Sequence, residues 1–328
     1  MATFRIPIIF GGFIMKKLFA LALVVLMVCS LAACAAGSNA PGNINLFGTT
    51  AAENSNTNIG GNNTVVSGDS ASLTKDSENV YLLNTDEFSF LVENVKVDPD
   101  SYYIATMEVK AENKTEDNGV TFSIEDTTID NIMAYGSYYK NLKGGDISSE
   151  DIQFSFPSLP DSLDYKAEDA CSISFTFVAL DDDYNQILKL PVTIYLKNEG
   201  LTKAYERKTL PTDKIIYNEN GIKLTYIGLV DSYGLGEAFF CLENTGSFEA
   251  YTSFTDTKIN GKDADLYFSS TADPGTTAFS YIFIGDSALE DAGLKELSGV
   301  KELSFTLEIT DYDSYKEIAN EKITIEVK

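Results

Sequence analysis

The sequence predicts an all-β protein whose folded part is two tandem antiparallel β-sandwiches. Three observations carry this expectation. Tryptophan is absent while 18 Tyr, 20 Phe and short runs of Thr, Val and Ile are present, a composition suited to half-buried pleated strands. Cys171, Ile173, Phe175 and Phe177 alternate with Ser172, Ser174 and Thr176, the two-residue period of a strand with one face buried and one wet. The third observation is an internal repeat.

Glu112-Asn113 matches Glu243-Asn244 at an offset of 131, and residues 123–131 match residues 253–261 at 130. Phe175-Thr176 matches Phe305-Thr306 at 130, and Val192-Thr193-Ile194 matches Ile323-Thr324-Ile325 at 131. Four matches in one register over more than a hundred residues point to duplication. At 328 residues the chain also suits about two domains of ordinary size.

Strands are expected in the first copy over residues 88–97, 102–112, 120–132, 152–156, 171–180 and 187–196. The second copy repeats the scheme over 222–230, 238–242, 251–259, 266–268, 279–284, 303–309 and 318–327. One helix is expected within 286–297, where Ala288, Leu289, Ala292 and Leu297 share a face. About seven strands in a segment of this size, joined by Gly, Asn and Asp turns, suit an immunoglobulin-like sandwich. The expected boundaries are 79–198 for the first module and 199–328 for the second, with residues 198–213 joining them.

Ahead of the modules, Lys16 and Lys17 precede an apolar run from Leu18 to Val28 and a small-residue segment ending at Cys34. That is the layout of a secretory signal over residues 1–33, with Met15 as the expected start, and the run falls short of the ~20 residues a spanning helix needs. Leu31-Ala32-Ala33-Cys34 resembles the lipobox of bacterial lipoproteins. The resemblance implies cleavage after Ala33 and a diacylglyceryl group on Cys34, two acyl chains being enough for stable anchoring. Residues 34–78, rich in Asn, Gly, Ser and Thr, read as a flexible tether spanning roughly 35–40 Å.

Taken with the signal and both repeats, the chain resembles uncharacterised lipoproteins of low-GC Gram-positive bacteria that carry tandem immunoglobulin-like extracellular domains. The resemblance implies a fold and a location on the outer face of the cytoplasmic membrane; it brings no catalytic residues. The charge of −25, or −28 without Arg5, Lys16 and Lys17, repels nucleic acid and favours cationic partners. Absence of histidine removes the usual general base and the commonest zinc ligand. The expected function is therefore non-enzymatic: a protein-binding or spacer module contacting an envelope or extracellular protein, with no cofactor. An accessory subunit of a transporter, sensor or wall-processing complex is the alternative, ahead of a hydrolase using carboxylates alone.

Two features invite a site. Asp181-Asp182-Asp183 and Asp311-Tyr312-Asp313 occupy corresponding loops, and clustered carboxylates can hold calcium. Neither has the EF-hand pattern, so both read as solvated turns and no metal ligand is assigned. Tyr102, Tyr103, Tyr135, Tyr138 and Tyr139 could form a contact surface, against the ordinary use of tyrosine on strand edges. Cys171 and Cys241 fall at non-equivalent places in the repeat, Cys241 opposite Lys110, and read as unpaired thiols.

Overall fold

Strands form where apolar and polar residues alternate, and hairpins form where Asn, Asp or Gly supplies a left-handed turn. A computed structural model describes residues 64–65, 68–98, 101–163, 165–198, 200–232 and 235–327. In the first half the strands are β1 (Thr64–Val65), β2 (Ala71–Thr74), β3 (Glu78–Asn84), β4 (Phe88–Val97), β5 (Ala105–Asn113) and β6 (Val120–Ile129). They continue with β7 (Ile132–Met133), β8 (Tyr138–Leu142), β9 (Ile147–Phe154), β10 (Ser172–Asp181) and β11 (Gln186–Tyr195). The second half holds β12 (Lys214–Glu219), β13 (Ile222–Ser232), β14 (Leu235–Asn244), β15 (Ala250–Ile259) and β16 (Lys262–Asp263). After them come β17 (Ser269–Ala272), β18 (Thr277–Ile284), helix α1 (Asp286–Asp291), β19 (Glu302–Asp311) and β20 (Glu317–Glu326).

These strands build an all-β, sandwich-type fold. One five-stranded sheet runs β1-β3-β4-β5-β9, and another holds β16-β15-β19-β20 with β17 on β15. A ten-stranded sheet shared by both halves runs β12-β13-β14-β18-β7-β6-β10-β11-β2, with β8 on β6. Its middle is the short parallel contact Thr277↔Ile132, which joins the second half to the first. Two cores result. Phe90, Phe122, Phe154, Phe175 and Phe177 fill the first, and in the second Phe268 and Phe305 stack on Phe254 while Phe240 meets all three edge-on.

The repeat has a structural cause. Asn113 and Asn244 are both 1% exposed. Asn113 Nδ2 donates to the carbonyls of Asn118 and Leu142, and its Oδ1 accepts from Thr115 N–H. Asn244 Nδ2 donates to Phe248 and Ala272, and its Oδ1 accepts from Gly246 N–H. Each asparagine thus satisfies two otherwise orphaned carbonyls where a loop crosses the end of its sandwich. Hairpin turns repeat too: Asp130 and Asn131 have φ of 49° and 62°, and Asn260 and Gly261 have 51° and 76°, the paired positive φ of a type I′ turn. Asp126 and Asp256 (φ 55° and 49°) mark a bulge in each copy.

A third apolar cluster lies between the two cores. Ile132 and Leu163 from the first half meet Ile227, Phe239, Cys241 and Phe279 from the second. Tyr165, Tyr205 and Phe279 follow one another at 4.9 and 6.1 Å between ring centroids. The joining segment is part of this junction: Tyr205 N–H donates to Asp130 O and Asn131 Oδ1. Arg207 forms a bidentate pair with Asp213 at 3.0 and 2.6 Å, both side chains 6% exposed.

Several expectations change. Residues 64–65, 71–74 and 78, assigned to the tether, belong to β1, β2 and β3; Leu73, 0% exposed, has an apolar site that the polar segment around it conceals. The strand expected at 152–156 begins earlier, at Ile147, because pairing with β5 extends over polar residues. The apolar residues Leu266 and Phe268 are buried but precede the strand, which is Ser269–Ala272. The helix ends at Asp291, and Leu297 sits in a separate short turn. Residues 1–63, including the lipobox, Ala33 and Cys34, lie outside the described residues.

Candidate functional site

The acidic loops resolve into turns. Asp181 Oδ1 accepts from the N–H groups of Asp183 and Asn185, at 2.9 and 2.7 Å. Asp311 Oδ1 accepts from Asp313 N–H at 3.1 Å, and its Oδ2 accepts from Ser314 Oγ at 2.7 Å. Hydrogen bonds, first those from Asn185 and Ser314, hold both carboxyls below the usual aspartate range. These groups are directed at their own backbone, the Asx-turn use of aspartate. Among the described residues no group of three or more His, Cys, Asp or Glu side chains has an arrangement able to hold a metal ion.

The expected tyrosine cluster divides. Tyr102, Tyr135 and Tyr139 are 74%, 62% and 69% exposed, and Tyr102 packs edge-on against Tyr103. Tyr138 instead enters the first core against Phe90, where burial pushes its phenol up to about 12. The period-two rule explains the split, since adjacent strand residues point to opposite faces.

A second aromatic surface, not singled out from the sequence, lies on the outer face of β15 and its neighbours. Tyr251 on β15 stands opposite Thr310 of β19 and Thr271 of β17. Tyr312 is 6.3 Å away, centroid to centroid. Tyr267, 77% exposed, shares a 2.9 Å hydrogen bond with Ser269 Oγ. Tyr312 N–H donates to Glu249 O at 2.9 Å, which brings the tyrosines beside a group of carboxylates. Burial, then Asp273, Asp313, Asp126 and Asp311, push the Glu249 carboxyl up to about 7. Asp273 is raised as well, by burial and then by Asp126 and Asp313. Asp126 comes from β6 in the first half, so the acidic group joins residues of both copies.

This arrangement leaves negative charge partly uncompensated next to exposed aromatic faces. Its chemical complement is a cationic side chain, which neutralises carboxylates and stacks favourably on tyrosine. The signal was present in the sequence as Glu249, Asp273 and Tyr312, but only β15–β17 and β15–β19 pairing brings these together, with Tyr251 and Tyr267 further along the same strands.

Cys171 and Cys241 are both buried and free. Cys171 N–H donates to the Asp130 carboxylate, while Cys241 belongs to the junction cluster. Burial, more than the charge of Glu243, pushes the Cys241 thiol up to about 12. A cysteine stands opposite Lys110 because the outer face of β14 is covered by the first half whereas that of β5 meets water. The sequence carries this difference: β5 alternates as ATMEVKAEN, and β14 has a continuous apolar run in LGEAFFCLEN.

No protein-family model and no curated protein matches the chain. Among solved structures it is similar to a Porphyromonas gingivalis W83 protein of unknown function, at 12% identity over 71% of this chain and 95% of that one, with a TM-score of 0.21. It is also similar to the YadV chaperone, at 10% identity over 79% and 98%, with a TM-score of 0.22. An Amycolatopsis orientalis exo-chitosanase, CsxA, is similar at 13% identity over 71% of this chain but 26% of its own, with a TM-score of 0.21. TM-scores this low assign the chain neither a family nor an activity.

Proposed function

We propose that the chain is a lipid-anchored extracellular binding module. The signal at residues 1–33 exports it, Cys34 carries the anchor, and the folded body presents its tyrosine and carboxylate surface to a cationic segment of an envelope or extracellular protein. The observation that carries the binding role is exposed Tyr312, hydrogen-bonded through its backbone to Glu249, beside the carboxylates of Glu249, Asp273, Asp313 and Asp126. Tyrosine gives a contact large apolar area at low entropic cost, and the unpaired charge selects the sign of the partner. Among the described residues no helix is long and apolar enough to cross a membrane.

Two experiments test the parts separately. Full-length chain in a Gram-positive host should incorporate labelled fatty acid and sediment with membranes, and Cys34→Ala should do neither; an unlabelled wild-type product in the cytosol overturns the anchoring. For binding, wild type and a Tyr267→Ala/Tyr312→Ala variant are compared in capture of envelope proteins at low and high salt. A specific partner released by salt and lost in the variant is expected. Equal capture by both chains removes the tyrosine surface from the interface.

A further inference from the structure

The duplicated halves differ at one sheet edge. In the first half β2 pairs in parallel with β11, Val192↔Ala71 through Tyr195↔Thr74. The repeat places β20 where β11 stands, Val192-Thr193-Ile194 corresponding to Ile323-Thr324-Ile325. Among the described residues β20 pairs with β19 alone. Residues 202–205, at the offset of β2, are used differently: Tyr205 is hydrogen-bonded to Asp130 and Asn131 at the junction.

Burial records the missing strand. Val192 is 1% exposed under β2, whereas its counterpart Ile323 is only partly buried. Thr193 and Tyr195 are half-buried, and their counterparts Thr324 and Glu326 are exposed. The polar backbone is open as well. Val327 N–H donates to Lys301 O, so by the alternation of an antiparallel ladder the backbone groups of Glu326, Thr324 and Lys322 face away from β19. Lys214 Nζ covers the Glu326 carbonyl.

We infer that β20 is a strand-acceptor site, and that its occupant is an extended peptide segment of another protein laid parallel to it as β2 lies on β11. The internal precedent states the chemistry: a segment with small or aliphatic residues two apart, as Ala71 and Leu73 are, whose backbone completes the ladder while those side chains enter the sandwich margin. Charge selects its flanks. Glu317, Glu321 and Glu326 outnumber Lys322 on β20, so the segment is basic outside its apolar positions. The inference stands apart from the tyrosine surface and from the anchor.

The test uses full-length chain and a labelled peptide carrying the sequence of residues 70–75 between added lysines, with binding read by fluorescence anisotropy. A control peptide is N-methylated at Leu73, whose N–H faces the acceptor strand in the register of β2 on β11 and is thereby removed from the ladder. On the protein side Thr324→Pro removes an outward N–H without touching the β19 ladder; Pro191 is the native precedent on β11, at an outward position fixed by the Leu196 N–H bond to Cys171 O. The parallel peptide should bind, and either the N-methyl group or Thr324→Pro should weaken it by about tenfold or more. If Thr324→Pro does not fold, the two peptides on wild type decide the matter. Equal binding of both peptides overturns the inference, as does failure of both. So does binding unchanged in a folded Thr324→Pro chain, which would mean the probe displaces β2, or self-association through β20 that shuts the peptide out.

Discussion

Replacing Asp130 tests how the duplicated turns hold the fold. Its carboxylate, in a residue 3% exposed, accepts from Ser172 N–H at 2.9 Å, Cys171 N–H at 3.1 Å, Tyr165 Oη at 2.9 Å and Ser172 Oγ at 3.3 Å. Asp130→Ala strands these donors where water does not reach. Leaving a buried donor unpaired costs about 1–3 kcal/mol, and relaxation of the serine and tyrosine hydroxyls recovers part, so about 3–5 kcal/mol of destabilisation is expected. Asp130→Asn should cost about 1–2 kcal/mol, because the second copy already uses asparagine there: Asn260 Oδ1 accepts from Lys301 and Glu302 N–H at 2.9 and 3.0 Å. Urea unfolding followed by far-UV circular dichroism measures both. A loss of under about 1 kcal/mol for alanine, or equal losses for the two variants, would refute the account of Asp130 as the acceptor that closes this turn.

Other outcomes follow from the same geometry. Asn113→Ala and Asn244→Ala should each destabilise by about 2–3 kcal/mol and by similar amounts, read as urea midpoints; a large loss in one with none in the other would break the equivalence of the two turns. Phe279→Ala should cost about 3–4 kcal/mol and expose residues 200–213 to limited proteolysis while circular dichroism keeps its β signature. Native Cys241 should resist a disulfide reagent at pH 8 and react after unfolding, because a thiol pushed up to about 12 is almost entirely protonated there; modification mapped by mass spectrometry checks it. Glu249 binds its proton more tightly folded than unfolded, so its contribution is fully present below the unfolded value near 4.5 and is lost as pH rises through about 7. Asp181 and Asp311 act oppositely and lose their contribution as pH falls below the usual carboxylate range. Glu249→Gln should therefore flatten the decline of stability between pH 5 and 7, measured by thermal melts; an unchanged slope would assign that decline elsewhere.

Legibility in the sequence followed the range of the interaction. Residues 88–97 read as a strand because Phe88, Phe90 and Val92 alternate, and β4 has those bounds. β2 was hidden: four residues, ASLT, give little periodicity, and Leu73 is buried only because β11 lies beside it. Tyr138 and Tyr139 looked alike until the phase of β8 sent one inward and the other out. The candidate site was the least legible part, since Asp126 and Glu249 lie far apart in the chain and meet only through the folding of both halves.

The all-β class and most strand positions were legible in the amino-acid sequence, because side-chain alternation and turn residues are local properties that survive without a partner. The fold alone settled that one sheet spans both halves, and that among the described residues β11 has a further neighbouring strand whereas β20 pairs with β19 only. Those outcomes depend on which surfaces meet. Hydrophobic burial and backbone pairing act between residues distant in sequence, so no local pattern contains them.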